Sequence, residues 1–301
     1  MIKPSTYFAN ELTELLKPFN GQALKLIIHA GTPKTGTTSI QSYLDKKQSK
    51  LRRKGILYPH NHKSLNNPNA PKHQWFEKNL VTTHVENFLE NLRNIMSQVK
   101  QETHTIILSS EGIYNYWWDF PDESKDMLAE LAKHLDVEIW AWFREPLDFI
   151  ENYYKQCIRN PQVENNPCYG KDLSFAEMLD IKWFSQHLDY QGFIDECQIV
   201  FGQNKVLAFE YKGDVIQQVM EKLGLPTTSV NAYPRYNKSL NTASIAVLRT
   251  LNQYDIKAKD KERLMPYLRE INNIVENYAE ETLIDVISRA RVLKMANTIK
   301  F

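Results

Sequence analysis

The sequence predicts an α/β fold in which a central parallel sheet is flanked by helices in three layers, with further helices at the carboxy end. Three observations carry this. Four short β-favouring runs recur along the chain, at Leu24–His29 (LKLIIH), Thr105–Leu108 (TIIL), Val137–Phe143 (VEIWAWF) and Lys205–Glu210 (KVLAFE). Segments with helical periodicity lie between them, and strands alternating with helices call for crossover connections and a parallel sheet covered on both faces. From about residue 242 onward the pattern is helical throughout.

The elements follow in order. Phe8, Leu12, Leu15 and Phe19 recur at helical steps and predict an amphipathic helix that packs on the main body. The first strand stops at Ala30-Gly31, and a helix is expected from about Thr37 to Arg53. The segment from Gly55 to Lys72 holds three prolines and no long periodicity, which predicts a surface loop. Val85, Phe88, Leu89, Leu92, Ile95, Met96 and Val99 keep to one helical face before the second strand, which ends in Ser109-Ser110-Glu111. Met127, Leu128, Leu131 and Leu135 mark the helix before the third strand, which ends at Arg144. Helices near 187–200 and 214–223 bracket the fourth. No Gly/Ser-rich linker interrupts the chain, so 1–301 is expected to be one domain, with a core at about 22–230 and a helical extension at about 240–301.

Composition narrows the function. Lys plus Arg is 37 and Asp plus Glu is 36, a formal net charge of +1. Coating a nucleic acid needs many basic side chains to displace counterions, so no nucleic-acid partner is expected, although a focused anion pocket remains compatible with that balance. No stretch approaches the ~18 apolar residues of a membrane span. The amino end carries no secretory pattern, and Cys157, Cys168 and Cys197 are odd in number and unclustered, which predicts a reducing, cytoplasmic setting.

The most informative stretch is His29-Ala-Gly-Thr-Pro-Lys-Thr-Gly-Thr-Thr38. A glycine-bearing turn between a strand and a helix lets main-chain N–H groups converge on one point, to which the helix adds its unsatisfied amides and positive dipole end. Lys34 brings a full charge to the same place. Gly31 and Gly36 have the spacing of the P-loop G-x-x-x-x-G-K-[ST], so the fold is read as P-loop-like, but Thr37 stands where that loop has lysine. The run TIIL also ends in Ser-Ser-Glu, without the aspartate that completes a Mg²⁺ site in nucleoside triphosphatases.

Pro33-Lys34-Thr35-Gly36-Thr37-Thr38, continuing into Ser39-Ile40-Gln41, resembles the 5′-phosphosulfate loop of the sulfotransferases that use 3′-phosphoadenosine 5′-phosphosulfate (PAPS). The bacterial members acting on carbohydrates look most similar, since Gly55-Ile-Leu-Tyr-Pro59 follows soon after. The resemblance implies PAPS as donor, 3′-phosphoadenosine 5′-phosphate (PAP) as product, and no metal requirement. Lys34 would stabilise charge developing on the bridging oxygen, and Thr35, Gly36, Thr37 and Thr38 would bind the 5′-phosphate with amides and hydroxyls. The family also carries an arginine at a later strand end and a serine eight residues on, which grip the 3′-phosphate. Arg144 fits the arginine, whose planar fork suits phosphate. Asn152 stands where the serine is expected; its amide can still donate, with different reach. Arg235-Tyr-Asn237-Lys238-Ser-Leu240 looks like an element that bacterial members place over the donor's 3′ end; Arg235, Asn237 and Lys238 are its candidates, and a polar helix cap is the competing reading.

Transfer to an alcohol also needs a base near the attacking oxygen. Glu111 is the first candidate, because a strand-end carboxylate in a parallel sheet faces the edge that carries Lys34; glycan-modifying members often use a glutamate there. His73, beside the proline-rich segment, is the second, as histidine titrates near neutrality. His29, beside the loop, reads as a residue that orders backbone or packs under it, and His187 as structural. His60 and His62 lack companion ligands, so no metal site is assigned. After Glu111 come Tyr114, Tyr116, Trp117, Trp118 and Phe120, most of them expected in the core, with one or two lining an acceptor cleft. The expected partners are thus a donor nucleotide and a glycan or other hydroxylated acceptor. Two alternatives are a P-loop nucleotide kinase and a catalytically silent nucleotide-binding scaffold of the same fold.

Overall fold

The computed structural model describes residues 4–33, 35–60, 71–212, 214–227, 240–254, 256–275 and 286–299. The chain divides into two compact units: one formed by Met1–Arg144 and Gly192–Tyr233 with Phe301, the other by Glu145–Gln191 and Pro234–Lys300.

The first unit holds a five-stranded sheet of β1 (Lys25–His29), β2 (Ile56–Leu57), β3 (Thr105–Ser109), β4 (Asp136–Phe143) and β5 (Val206–Glu210) in the order β2-β3-β1-β4-β5. Every pairing is parallel: Leu26 of β1 lies opposite Ile106 of β3 on one side and Val137 of β4 on the other. The expected parallel α/β arrangement is therefore present. Four strands coincide with the β-favouring runs. β2 falls inside the segment expected to be a loop, because two residues carry no periodicity to read. Gly55 makes this edge strand possible: its φ is +70°, and a Cβ there would sit 2.5 Å from the Glu102 carbonyl oxygen. Its own carbonyl accepts from the N–H groups of His104 (2.9 Å) and Thr105 (3.2 Å).

Because side chains alternate along a strand, Ile27, Ile107, Trp140 and Trp142 point to one face. There they meet helices α2 (Thr37–Lys46), α3 (Gln48–Arg52) and, later in the chain, Val215–Lys222 in one buried cluster. Trp142 stacks on Phe209 with ring centroids 4.4 Å apart and donates from Nε1 to Gln218 Oε1 at 2.5 Å. The predicted helix over 37–53 is thus two helices broken at Lys47.

The amino-terminal helix α1 (Pro4–Leu16) packs on α5 (Val85–Met96) and α7 (Asp122–His134), with α4 (Trp75–Val81) beside α5. Phe8 of α1 meets Phe88 of α5 edge to face at 5.7 Å, and Phe76 of α4 lies 5.1 Å from the same ring. The aromatic run after Glu111 spans α6 (Gly112–Asn115) and a short turn of helix. Tyr114 and Trp117 are wholly buried against Phe193, while Tyr116 and Trp118 are half-buried. Trp117 Nε1 and Lys125 Nζ both donate to Glu196 Oε2 at 2.9 Å.

The second unit is helical: α8 (Pro146–Arg159), α9 (Phe175–Leu179), α10 (Lys182–Ser185), and α13 (Thr242–Asn252), α14 (Ala258–Val275) and α15 (Val286–Met295). Between these two groups in the chain come α11 (Tyr190–Phe201), which begins in this unit and ends in the first, and α12 (Val215–Lys222). Tyr153 stacks on Phe184 at 5.5 Å, and its hydroxyl lies 3.3 Å from Nε2 of the fully buried His187, the structural role expected of that histidine. Asn252 donates to the carbonyls of Ile158 (3.0 Å) and Lys171 (3.1 Å), and Lys261 to that of Asn160 (2.9 Å). Among the described residues no helix is long and apolar enough to cross a membrane.

Candidate functional site

In parallel α/β sheets, ligands bind outside the carboxyl ends of the strands, where the strand order reverses. That point lies between β1 and β4. Beyond β1 the chain stays clamped to β4: Ala30 N–H donates to the Trp140 carbonyl (2.9 Å), and Thr32 donates to the Trp142 carbonyl from both N–H (3.3 Å) and Oγ1 (2.7 Å). Thr35 Oγ1 donates in turn to the Thr32 carbonyl at 2.6 Å. The Thr35 hydroxyl proton is therefore committed to the loop, which leaves the main chain as that residue's means of donating to a ligand.

Gly36 precedes α2 with φ +75° and ψ +13°, the left-handed conformation that glycine adopts without strain. A Cβ there would lie 2.9 Å from Val215 Cγ2 and 3.6 Å from Tyr211 Cε2. No side chain caps α2, so its first-turn amides are not claimed by a cap. Thr37 is buried, its Oγ1 without a hydrogen-bond partner, and Thr38 is exposed. Lys34 lies outside the described residues, as do Arg235, Asn237 and Lys238.

Tyr211 links this loop to the end of β4. Its N–H donates to the Phe143 carbonyl at 2.7 Å, its ring reaches the space beside Gly36, and the Arg144 guanidinium lies over that ring at 5.3 Å. The sequence gives no sign of Tyr211, whose importance comes from the pairing of β5 with β4. Of the acidic residues that follow Arg144 in the sequence, Glu145 caps α8 by accepting from Asp148 N–H (2.8 Å), and Glu151 pairs with Lys155 (2.7 Å). Asn152, on α8 in the helical unit, donates its amide to the Asp148 carbonyl (2.7 Å) and to Asp148 Oδ1 (3.2 Å).

The end of β3 carries a second cluster. Ser109 N–H donates to His73 Nδ1 at 3.0 Å, so the His73 proton sits on Nε2 and is donated to the Pro59 carbonyl at 3.1 Å. The ring is buried, and burial pushes it down to about 4. Both of the ring nitrogens that a general base would use are thus bonded to main chain, and His73 acts as a tie between the ends of β2 and β3.

Glu111 is half-buried at the start of α6. The residue that sequence reasoning missed is Glu77, on α4. It is 4% exposed, its Oε2 accepts from Ser110 Oγ at 2.5 Å, and Ser110 Oγ accepts from Gly112 N–H at 3.3 Å. Gly112 is needed here, since a Cβ would come within 2.4 Å of Glu77 Cγ. Burial pushes Glu77 up to about 8, with the neighbouring Glu111 adding to the rise. A buried carboxylic acid thus holds the turn on which Glu111 stands. Nothing in the local pattern Trp75-Phe76-Glu77 distinguishes it from an exposed helix acid.

Below the loop, the imidazole of His29 is 2% exposed, with Nδ1 2.7 Å from Ser109 Oγ; that oxygen accepts from Gln41 Nε2 at 3.2 Å. His29 Nε2 has no partner. Buried polar atoms are almost always hydrogen-bonded, so two orphans at one strand–loop–helix junction, His29 Nε2 and Thr37 Oγ1, mark a place where an ordered water or a polar ligand would complete the bonding. With a left-handed glycine, uncapped amides and a nearby guanidinium, the arrangement suits a phosphate or sulfate group. Among the described residues no group of three His, Cys, Asp or Glu side chains is placed to hold a metal.

No protein-family model and no curated protein matches the chain. A solved structure similar to it is a sulfotransferase from Alicyclobacillus acidocaldarius, 19% identical, with 76% of this chain and 96% of that chain covered and a TM-score of 0.41. The chemistry of the site therefore rests on its own residues.

Proposed function

We propose that the chain is a sulfotransferase that moves the sulfuryl group of PAPS to a hydroxyl or amine of an acceptor, with a glycan or glycoconjugate as the acceptor class. The observation that carries the reading is the junction after β1. A run that resembles a 5′-phosphosulfate loop, Pro33–Thr38, enters an uncapped helix at a left-handed Gly36, beside two buried polar atoms that lack partners.

In this reading Thr35 and Gly36 hold the 5′-phosphate through main-chain amides, and Thr37 and Thr38 add their hydroxyls. Arg144, carried over Tyr211, takes the 3′-phosphate. Arg235, Asn237, Lys238 and Asn152 are further candidates for that phosphate on sequence alone. Lys34 sets its ammonium beside the bridging oxygen and stabilises the charge that grows there as the S–O bond breaks. Glu111 accepts the acceptor's proton as the new bond to sulfur forms, so the products are the sulfated acceptor, PAP and a protonated carboxyl. Glu77 and Ser110 hold the Glu111 turn in place.

Titration of the purified protein with PAP in the absence of metal, and with ATP plus Mg²⁺, tests this. PAP is expected to bind without metal, and Arg144→Ala to weaken it about tenfold or more, the loss of a charge-assisted contact. A clear preference for ATP with Mg²⁺ overturns the reading in favour of a nucleotide kinase. PAP binding with no transfer from labelled PAPS to any hydroxylated or amine acceptor overturns it in favour of a silent binding protein.

A further inference from the structure

The mechanism above leaves one buried polar group of the loop unused, the imidazole of His29. A Cβ placed on Gly31 would lie 2.8 Å from His29 Nε2, 3.3 Å from Thr35 Oγ1 and 3.5 Å from Thr37 Oγ1. Three polar side-chain atoms from the strand end, the loop and the helix start therefore converge on the bare face of one glycine. The Thr35 hydroxyl is satisfied by the Thr32 carbonyl; the other two atoms are the orphans. Both His29 and Thr37 are buried, at 2% and 3% exposure.

The other side of the ring sets its proton. Ser109 Oγ accepts from Gln41 Nε2 at 3.2 Å and lies 2.7 Å from His29 Nδ1; in the tautomer we assign, the Ser109 hydroxyl donates to that nitrogen. An imidazole that accepts at Nδ1 carries its proton on Nε2. The ring is edge-on to Trp142 at 5.1 Å, and that packing fixes its orientation. Burial pushes His29 down to about 3, so the ring is neutral across the physiological range.

We propose that His29, at the end of β1, is an anion-binding residue: its Nε2–H, together with the Thr37 hydroxyl, donates from beneath to the phosphate end of the nucleotide bound beside Gly31, Gly36 and Thr37. The proposal rests on the donor reading above. It adds an uncharged hydrogen bond from the strand side to the amides supplied by the helix, and it explains why residue 31 is glycine: any side chain would stand between His29 and the hydroxyls. The ties from Gln41 to Ser109 to His29 extend the site's support to the first turns of α2 and the end of β3.

Two substitutions separate the two ring nitrogens. His29→Asn retains an amide near the Nδ1 position and keeps the Ser109 contact, whereas His29→Gln reaches the Nε2 position. Isothermal titration with PAP, and with inorganic pyrophosphate as a smaller probe, is expected to show His29→Asn binding about 10- to 100-fold more weakly than the unaltered protein, the worth of a hydrogen bond to a charged group. His29→Gln is expected within about threefold of the unaltered protein, as only the reach to Nε2 is retained. Undiminished binding by His29→Asn, with the fold intact by circular dichroism, overturns the proposal. A second readout needs no variant: in protein carrying ¹⁵N-labelled histidine, the His29 Nε2 resonance is expected to be that of a protonated nitrogen and to shift on adding PAP. An Nε2 signal that does not move at saturating PAP overturns the proposal while leaving the donor reading standing. If the unaltered protein binds neither PAP nor pyrophosphate, the donor reading itself falls, and this proposal with it.

Discussion

At the scale of single residues, the site shows how position in space overrides residue type. His73 has the side chain most often found as a base, yet its two nitrogens are bonded to the Ser109 N–H and the Pro59 carbonyl. Glu111 is half-buried at the start of α6. Under the proposed function, Glu111→Gln is therefore expected to lower turnover by about 10²- to 10⁴-fold, the range of general-base contributions, while PAP affinity changes little. Steady-state kinetics beside a PAP titration check this; full turnover in Glu111→Gln would place the base on another residue. Both residues were visible in the sequence as candidates. What ranked them was burial and hydrogen bonding to backbone groups some 14 to 36 positions away, which no local pattern encodes.

At the scale of elements, the junction of β1, loop and α2 depends on a glycine conformation. Gly36 and Gly224 have similar left-handed geometry, with φ of +75° and +64°, but a Cβ at 36 would press on Val215 Cγ2 at 2.9 Å while one at 224 would meet nothing within 4 Å. Gly224→Ala is expected to cost only the backbone penalty of about 1–2 kcal/mol. Gly36→Ala is expected to cost more, because α12 must also shift, and to weaken PAP binding by moving the first-turn amides. Urea unfolding of the two variants gives the difference; equal losses would mean that Val215 yields freely. A helix beginning at Thr37 and the glycine before it could be read from the chain, though not the break at Lys47. The contact with Val215 could not, since it joins elements nearly 180 residues apart. β2 escaped notice for another reason: its two residues form a strand only because Gly55 lets the chain lie against the start of β3.

At the scale of the whole molecule, buried titratable groups tie folding to pH. The ordinary value of a glutamate is 4.5 and that of Glu77 in the fold is about 8. Between those values the unfolded chain has released a proton that the folded chain retains, so this contribution is complete below 4.5 and is lost as pH rises towards 8. His29 and His73 act in the opposite sense. Their ordinary value is 6.5, and burial lowers them to about 3 and about 4, so their contribution is complete above 6.5 and is lost as pH falls towards those values. Glu77→Gln carries no proton to lose. Chemical denaturation between pH 5 and 8 is expected to show its stability rising relative to the unaltered protein as pH increases; a constant difference would mean that Glu77 is ionised in the fold.

The division between what was legible and what was not follows the range of the interactions. Sequence alone determined the alternation of strands and helices, the parallel sheet, the amphipathic faces of α5 and α7, and the glycine-bearing loop at the end of β1, because each depends on residues within a few positions of one another. Only the tertiary structure decided that the chain forms two compact units, with passages between them after Arg144, Gln191 and Tyr233. It likewise decided that Glu77 supports the Glu111 turn, that Tyr211 carries Arg144 to the loop, and that His29 faces Thr37 across Gly31. Those relations arise from strand order and from burial, and both are set by the chain as a whole.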